Sequence, residues 1–211
     1  MTLTHIILVR HGRTAWNKEP HFRGRKEIPL DAMGRRQAEA TARRIAAQWP
    51  VEAVYSSPMG RAQETAAAIA LQLGLSVQTD EALLDMDFGE WQGKTVQEVA
   101  RLWPEALRKW DEAPHELRVP GGESLDDVRA RVHEGLHRWL KAHRGRWIVA
   151  VGHAVVNRVL LLDVLGLGNE AFWRIAQRNC AINIIADTGK ILQVALMNDI
   201  SHLQRFSRWW R

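Results

Sequence analysis

Ile6-Ile7-Leu8-Val9-Arg10-His11-Gly12-Arg13-Thr14-Ala15-Trp16-Asn17 decides the fold class of this 211-residue chain. Four branched apolar residues in a row read as a strand buried on both faces, as in a parallel sheet. The run stops at Arg10-His11-Gly12, where a cation and an imidazole precede a residue that lets the backbone turn tightly. In open α/β sheets, ligands bind just beyond the carboxyl ends of the strands. The sequence therefore sets a histidine beside an arginine where a small anion would be met. Taken alone, Arg10-His11 reads equally well as a strand ending in solvent with two polar residues, so the rest of the chain has to decide.

Working outward, strands and helices alternate almost to the end of the chain. That pattern indicates an α/β fold: a single-domain three-layer sandwich with a mostly parallel central sheet, helices on both faces and a C-terminal hairpin. Asp31 is a natural N-cap for a helix reaching about Trp49, where Pro50 stops it. Val51–Ser56 reads as the second strand. Ser57-Pro58 reads as an N-cap serine with proline at the first helical position, and Gly74 as the left-handed C-cap of that helix. A short strand follows at 75–79. Thr95-Val96-Gln97-Glu98 and Ser124-Leu125-Asp126-Asp127 resemble capping boxes opening helices near 95–111 and 124–143. An apolar strand at 147–151 ends in Gly152-His153, and a helix follows from about Val155 to Leu165. Residues 181–186 and 191–196 read as a hairpin. With no repeat, low-complexity tract or linker, residues 1–203 form one domain and 204–211 a basic, Trp-rich tail.

Composition narrows the function. Hydrophobic residues make up 46% of the chain, enough for a sizeable core. The single cysteine, Cys180, excludes an intramolecular disulfide framework and fits a reducing compartment. No charged segment leads into a signal-like apolar stretch, and no apolar run is long enough to span a bilayer. A cytoplasmic protein without membrane contact is expected. The net charge is +5, but Arg35, Arg36, Arg43, Arg44, Arg129 and Arg131 are scattered over expected helix faces. With no zinc-finger spacing and no RNP-like motif, nucleic acid is not an expected partner. A field that steers a small anionic substrate is the simpler account. The sequence leaves a homodimer open.

The chemistry-bearing residues converge on one sheet edge. The strand at 147–151 ends in Gly152-His153-Ala154 by the same apolar-run-then-histidine logic as the first. Arg61 falls in the first turn of the helix after Val51–Ser56, at a helix N-terminus that favours anions. Two arginines, two histidines and a helix N-terminus make a phosphate cradle, because a guanidinium fork grips two phosphate oxygens at once. Flanking cations would keep an attacking histidine neutral and stabilise the transferring phosphoryl group. His11, on the more tightly specified strand end, is the expected nucleophile. An acid must protonate the leaving group, and Asp85, Asp87 and Glu90 are the candidates. Asp85 sits among Leu84, Met86 and Phe88, an apolar setting, but spacing alone does not separate the three.

Leu8-Val9-Arg10-His11-Gly12-Arg13-Thr14-Ala15-Trp16-Asn17 resembles the Arg-His-Gly signature of the histidine phosphatase superfamily, also called phosphoglycerate mutase-like. Ser56-Ser57-Pro58-Met59-Gly60-Arg61-Ala62-Gln63-Glu64-Thr65-Ala66 resembles its second motif. Asp87-Phe88-Gly89-Glu90-Trp91-Gln92-Gly93, Pro120-Gly121-Gly122-Glu123-Ser124 and Val151-Gly152-His153 resemble later ones, in order. The resemblance covers nearly the whole chain. It implies a phosphohistidine at His11, phosphoryl contacts from Arg10, Arg61 and His153, and an acid at Asp85, where the family usually has glutamate. It also implies substrate contacts at Asn17, at Arg23 and Gly24 of the Phe22-Arg23-Gly24 loop, and at Ala154. No metal or other cofactor is implied.

The branch is read from differences. The mutases of this family follow the acid with Arg-His-Tyr-Gly and carry a later arginine pair. Here Met86-Asp87-Phe88-Gly89 replaces the first, and residues 94–120 hold no Arg-Arg pair. Hydrolysis of a small phosphorylated substrate is therefore expected. The alternatives are a cofactor-dependent phosphoglycerate mutase and a non-catalytic module that binds phosphorylated ligands. The Phe88–Gly93 stretch, 88–93, is similar to broad-specificity bacterial phosphatases and α-ribazole phosphatases. Residues 110–125, Asn179-Cys180-Ala181-Ile182-Asn183-Ile184-Ile185 and Ser201-His202-Leu203 resemble metal-independent phosphoserine phosphatases. His202 matches a histidine that this group uses toward phosphoserine, whereas Phe88 stands where its second such histidine would be. Phosphoserine, ribazole phosphate and sugar phosphates all stay open as substrates.

Overall fold

A computed structural model describes residues 3–17 and 21–203. The Trp-rich tail at 204–211 and the start of the loop after Asn17 lie outside the described residues. The apolar run becomes β1 (Thr4–Arg10), and its alternation divides two cores. Ile6 and Leu8 face one core, Ile7 and Val9 the other, all four fully buried. β4 (Trp147–Gly152) repeats the pattern, with Ile148 and Ala150 on one face and Val149 and Val151 on the other.

The sheet has six strands in the order β3-β2-β4-β1-β5-β6. β1, β2 (Val51–Ser56), β3 (Val77–Thr79) and β4 run parallel. β5 (Ile182–Asp187) lies antiparallel to β1, and β6 (Leu192–Asp199) completes the hairpin. Helices α1 (Ala32–Gln48) and α2 (Gly60–Leu73) cover one face. Helices α3 (Val96–Leu102), α4 (Pro104–Glu112), α5 (Leu125–Ala142) and α6 (Ala154–Val164) supply the larger core on the other. The three-layer sandwich is thus the observed fold. Both expected capping boxes form: Thr95 with Glu98, and Ser124 with Asp127.

Two helix boundaries differ from expectation. The helix expected at 95–111 is two helices, because a residue preceding proline is pushed out of the helical region and Trp103 takes φ −138°, ψ 61° before Pro104. The helix expected from Ser57-Pro58 starts instead at Gly60, with Met59 as a cap that makes no side-chain bond. The Ser57 hydroxyl still accepts from the Met59 amide at 3.3 Å, and it also lies 2.9 Å from the His153 ring.

Candidate active site

The site grows from the register of the sheet. Arg10 on β1 lies opposite Gly152 on β4, and the His11 amide extends the ladder by donating to the Gly152 carbonyl at 3.0 Å. On the other side of β4, the Ser57 amide donates to the Val151 carbonyl. Three neighbouring strand ends therefore carry Ser57, His153 and His11 as their next residues. The imidazoles of His11 and His153 stand 5.1 Å apart, centroid to centroid.

Gly12 is required by close approach rather than by an unusual turn. A Cβ there would lie 2.5 Å from the Gly34 carbonyl oxygen, and one on Gly34 would lie 2.0 Å from that of Arg13. The two glycines let the strand end dock on the first turn of α1, behind the Asp31 cap, which accepts from the Gly34 amide. Asn179 donates to the His11 carbonyl at 3.1 Å and holds the same turn from the β5 side.

His11 is buried, and its Nδ1 lies 2.7 Å from the Gly12 carbonyl oxygen. A carbonyl can only accept, so Nδ1 carries the proton and Nε2 presents a lone pair. Burial holds its pKa well below 6.5, reinforced by Arg61, His153, Arg10 and Arg23. His153, the N-cap residue of α6, is depressed likewise by burial and then by Arg61, Arg10, Arg131 and Arg23. Both rings are neutral at pH 7.

Each arginine of the site is anchored through its terminal nitrogens while its Nε is left over. Arg10 donates to the Gln177 carbonyl at 2.6 Å. Arg23 donates to the Trp16 carbonyl at 3.2 Å. The wholly buried Arg61 donates to the carbonyls of Lys26 and Gly24 and, at 3.1 Å, to Asp85 Oδ2. Burial, then Arg23 and Arg158, pull Arg10 down to about 9, so it keeps its charge at neutral pH. Among the described residues, seven buried side-chain nitrogens have no hydrogen-bond partner. Four of them belong to this one site: Nε of Arg10, Arg23 and Arg61, and Nδ1 of His153. Buried polar nitrogens left unpaired are costly, and an anion bound here would satisfy the guanidinium donors among them.

The three acid candidates separate in space. Asp85 is buried, with Oδ2 at Arg61 and 3.6 Å from His153 Nδ1, and Oδ1 accepting from the Met86 amide. Asp87 instead accepts from the Gly89 amide and faces Arg25, and Glu90 is exposed. Only Asp85 of the three lines the pocket, which has a volume of about 130 Å³. Arg10, His11, Arg23, Gly24 and Ala154 line it too, as the resemblance implies. His21, Phe22, Phe88 and Val155 complete the lining and were not singled out by the sequence.

Two expected substrate residues are committed elsewhere. Asn17 accepts through Oδ1 from the Thr14 amide and hydroxyl and ties off its own loop. The His202 ring is clamped against α1, with Nε2 3.0 Å from the Thr41 hydroxyl and Nδ1 3.2 Å from an Arg44 guanidinium nitrogen. Burial and Arg44 push its pKa down to about 4. Neither residue lines the pocket, and neither do the wholly buried Arg61 and His153; His202 packs against α1 instead. Among the described residues no group of three His, Cys, Asp or Glu side chains is placed to hold a metal ion, and no helix is long and apolar enough to cross a membrane.

Comparison with known proteins agrees with this geometry. Residues 6–200 match the family model for the histidine phosphatase superfamily (branch 1). Phosphoserine phosphatase 1 of Hydrogenobacter thermophilus is 31% identical over 204 residues, covering 97% of this chain and 96% of that protein. A probable phosphoglycerate mutase GpmB of Salmonella choleraesuis is 30% identical over 208 residues, covering 95% of each. Among solved structures, Bacillus stearothermophilus YhfR superposes with a TM-score of 0.90 at 31% identity, over 95% of this chain and 99% of that one. The chain belongs to branch 1 of the histidine phosphatase superfamily and is an enzyme of the phosphoric monoester hydrolase class.

Proposed function

We propose that this enzyme hydrolyses a small phosphorylated metabolite through a phosphohistidine at His11, without a metal ion. The observation that carries the reading is the set of four unpartnered buried nitrogens grouped around a histidine whose Nε2 is fixed as the lone pair. In the first step His11 Nε2 attacks phosphorus and the ester P–O bond breaks. The leaving oxygen takes its electron pair and a proton from the Asp85 carboxyl. Arg10, Arg61, Arg23 and His153 hold the phosphoryl oxygens while charge spreads over them. In the second step the Asp85 carboxylate removes a proton from water, which attacks phosphorus. The N–P bond breaks, and phosphate leaves with His11 neutral again.

The relatives named above suggest phosphoserine and related phosphomonoesters as substrates to try first, with sugar phosphates and ribazole phosphate beside them. A cytoplasmic setting suits the one thiol, Cys180, which is buried and raised to about 12 by that burial. Acid quenching during turnover of a ³²P-labelled phosphomonoester should trap an acid-labile, base-stable label in the wild type, with or without EDTA. His11→Ala should show neither label nor turnover; full turnover by that variant would overturn the reading. Conversion of 3- to 2-phosphoglycerate outrunning phosphate release would favour the mutase reading that one relative's name suggests.

A further inference from the structure

The segment that carries Asp85 is gripped by charged side chains that do not themselves line the pocket. Arg131, on α5, donates through NH1 to the Ala82 carbonyl at 2.9 Å and through NH2 to the Asp85 carbonyl at 3.3 Å. Its Nε pairs with Glu123 Oε1 at 3.2 Å. Arg25, from the loop on the opposite side, reaches the same two targets: the Asp85 carbonyl at 3.4 Å and Glu123 at 3.1 Å. Glu123 also accepts from the Asp87 amide at 2.8 Å, and its own amide donates to the Asp87 carbonyl at 2.9 Å. Glu123 and Arg131 side chains are each under one-fifth exposed.

Five of these bonds close on main-chain groups of residues 82–87, and the Arg131–Glu123 and Arg25–Glu123 pairs tie the gripping side chains to one another. The neighbouring strap is equally tight, since a Cβ on Gly122 would lie 2.4 Å from the Asp87 carbonyl oxygen and one on Gly89 2.2 Å from that of Pro120. The arm therefore has no slack on the side away from the pocket. Its pocket-lining side chain, Asp85, has its Oδ2 bonded to Arg61 at 3.1 Å and standing 3.6 Å from His153 Nδ1. We propose that Glu123 and Arg131, braced by Arg25, are positioning residues that set the reach of the Asp85 carboxyl toward the leaving oxygen. The arrangement suits an aspartate, whose short side chain has a single rotatable bond before the carboxyl and cannot make up for a displaced backbone. A misplacement near 1 Å can cost a reacting group on the order of 100-fold in rate.

The inference rests on Asp85 being the acid, and the test separates the two. Rates are compared on n-propyl phosphate, whose leaving group needs a proton, and on p-nitrophenyl phosphate, whose leaving group hardly does. Arg131→Met and Arg25→Met should each lose roughly 10- to 100-fold in kcat on the alkyl ester. They should lose less than about 3-fold on the nitrophenyl ester, keep KM for both, and keep inhibition by inorganic phosphate. Arg131→Lys should regain part of the alkyl rate, and Arg131→Met in an Asp85→Asn background should cost nothing further there. If Arg131→Met does not fold, Arg25→Met carries the same comparison from the other side of the arm. Selective loss in Asp85→Asn with equal loss on both esters in the arginine variants would overturn the positioning role alone. Equal loss on both esters in Asp85→Asn would remove the acid reading and this inference with it.

Discussion

Acidification should unfold this enzyme earlier than its carboxylates alone require, because two of its histidines are buried uncharged. His11 and His153 are depressed well below 6.5 in the folded protein, whereas both titrate near 6.5 in the unfolded chain. Above that value the two states bind the same number of protons and stability is fully present. Below it the unfolded chain takes up two protons that the folded protein refuses, so stability falls as pH falls. The slope approaches about 1.4 kcal/mol per pH unit for each histidine, or about 2.7 for the pair. Integrated from pH 7 to pH 5, the loss reaches at most about 4 kcal/mol, the limit in which both rings stay neutral in the fold throughout. That is a large share of the roughly 5–15 kcal/mol that holds a domain together. His5, His143 and His202 are also depressed and add to it in the same direction. Urea midpoints at pH 7, 6 and 5 would measure the slope, and His153→Gln isolates one ring. The variant should recover about 2 kcal/mol of the loss at pH 5 relative to pH 7. Parallel pH profiles for wild type and variant would refute the reasoning.

Two other perturbations test the placement of single residues. Gly12→Ala puts a Cβ 2.5 Å from a backbone oxygen of α1, so it should cost about 1–3 kcal/mol in urea unfolding and depress kcat by displacing His11. His202→Ala removes the clamp on Thr41 and Arg44 and should cost about 1–2 kcal/mol. It should leave KM for phosphoserine unchanged, and a KM raised more than about 5-fold would return His202 to the substrate.

What could be read from the sequence was whatever depended on strand periodicity. Ile6–Val9 and the 147–151 run define their own faces by alternation, so the fold class and the meeting of His11 with His153 at one sheet edge followed from two short segments. Arg61 followed from its distance past the second strand. The choice among Asp85, Asp87 and Glu90 did not, because they differ only in which way an irregular loop directs them, and of the three only Asp85 lines the pocket. That direction is set by Arg131, 46 residues further on, and by Arg25 from another loop. Ser57 looked like a helix cap and is also a partner of His153, a second role invisible until the neighbouring strand is known. His202 shows how a residue can match a motif and also be held in packing by the helix beside it.

The hydrogen bond from the His11 amide to Gly152 also has a meaning for how the chain folds. Pairing β1 with β4 closes a loop of roughly 140 residues, an entropic cost that must be met before either strand gains from the pairing. The proposed phosphate seat straddles that seam. It therefore comes into existence only when this sequence-distant contact is made, and no fragment holding one side of the seam can carry it. Return of activity after dilution from denaturant reports the closing of the whole sheet. A bound anion, by spanning the seam, stabilises the N-terminal strand and the C-terminal half together rather than a local loop.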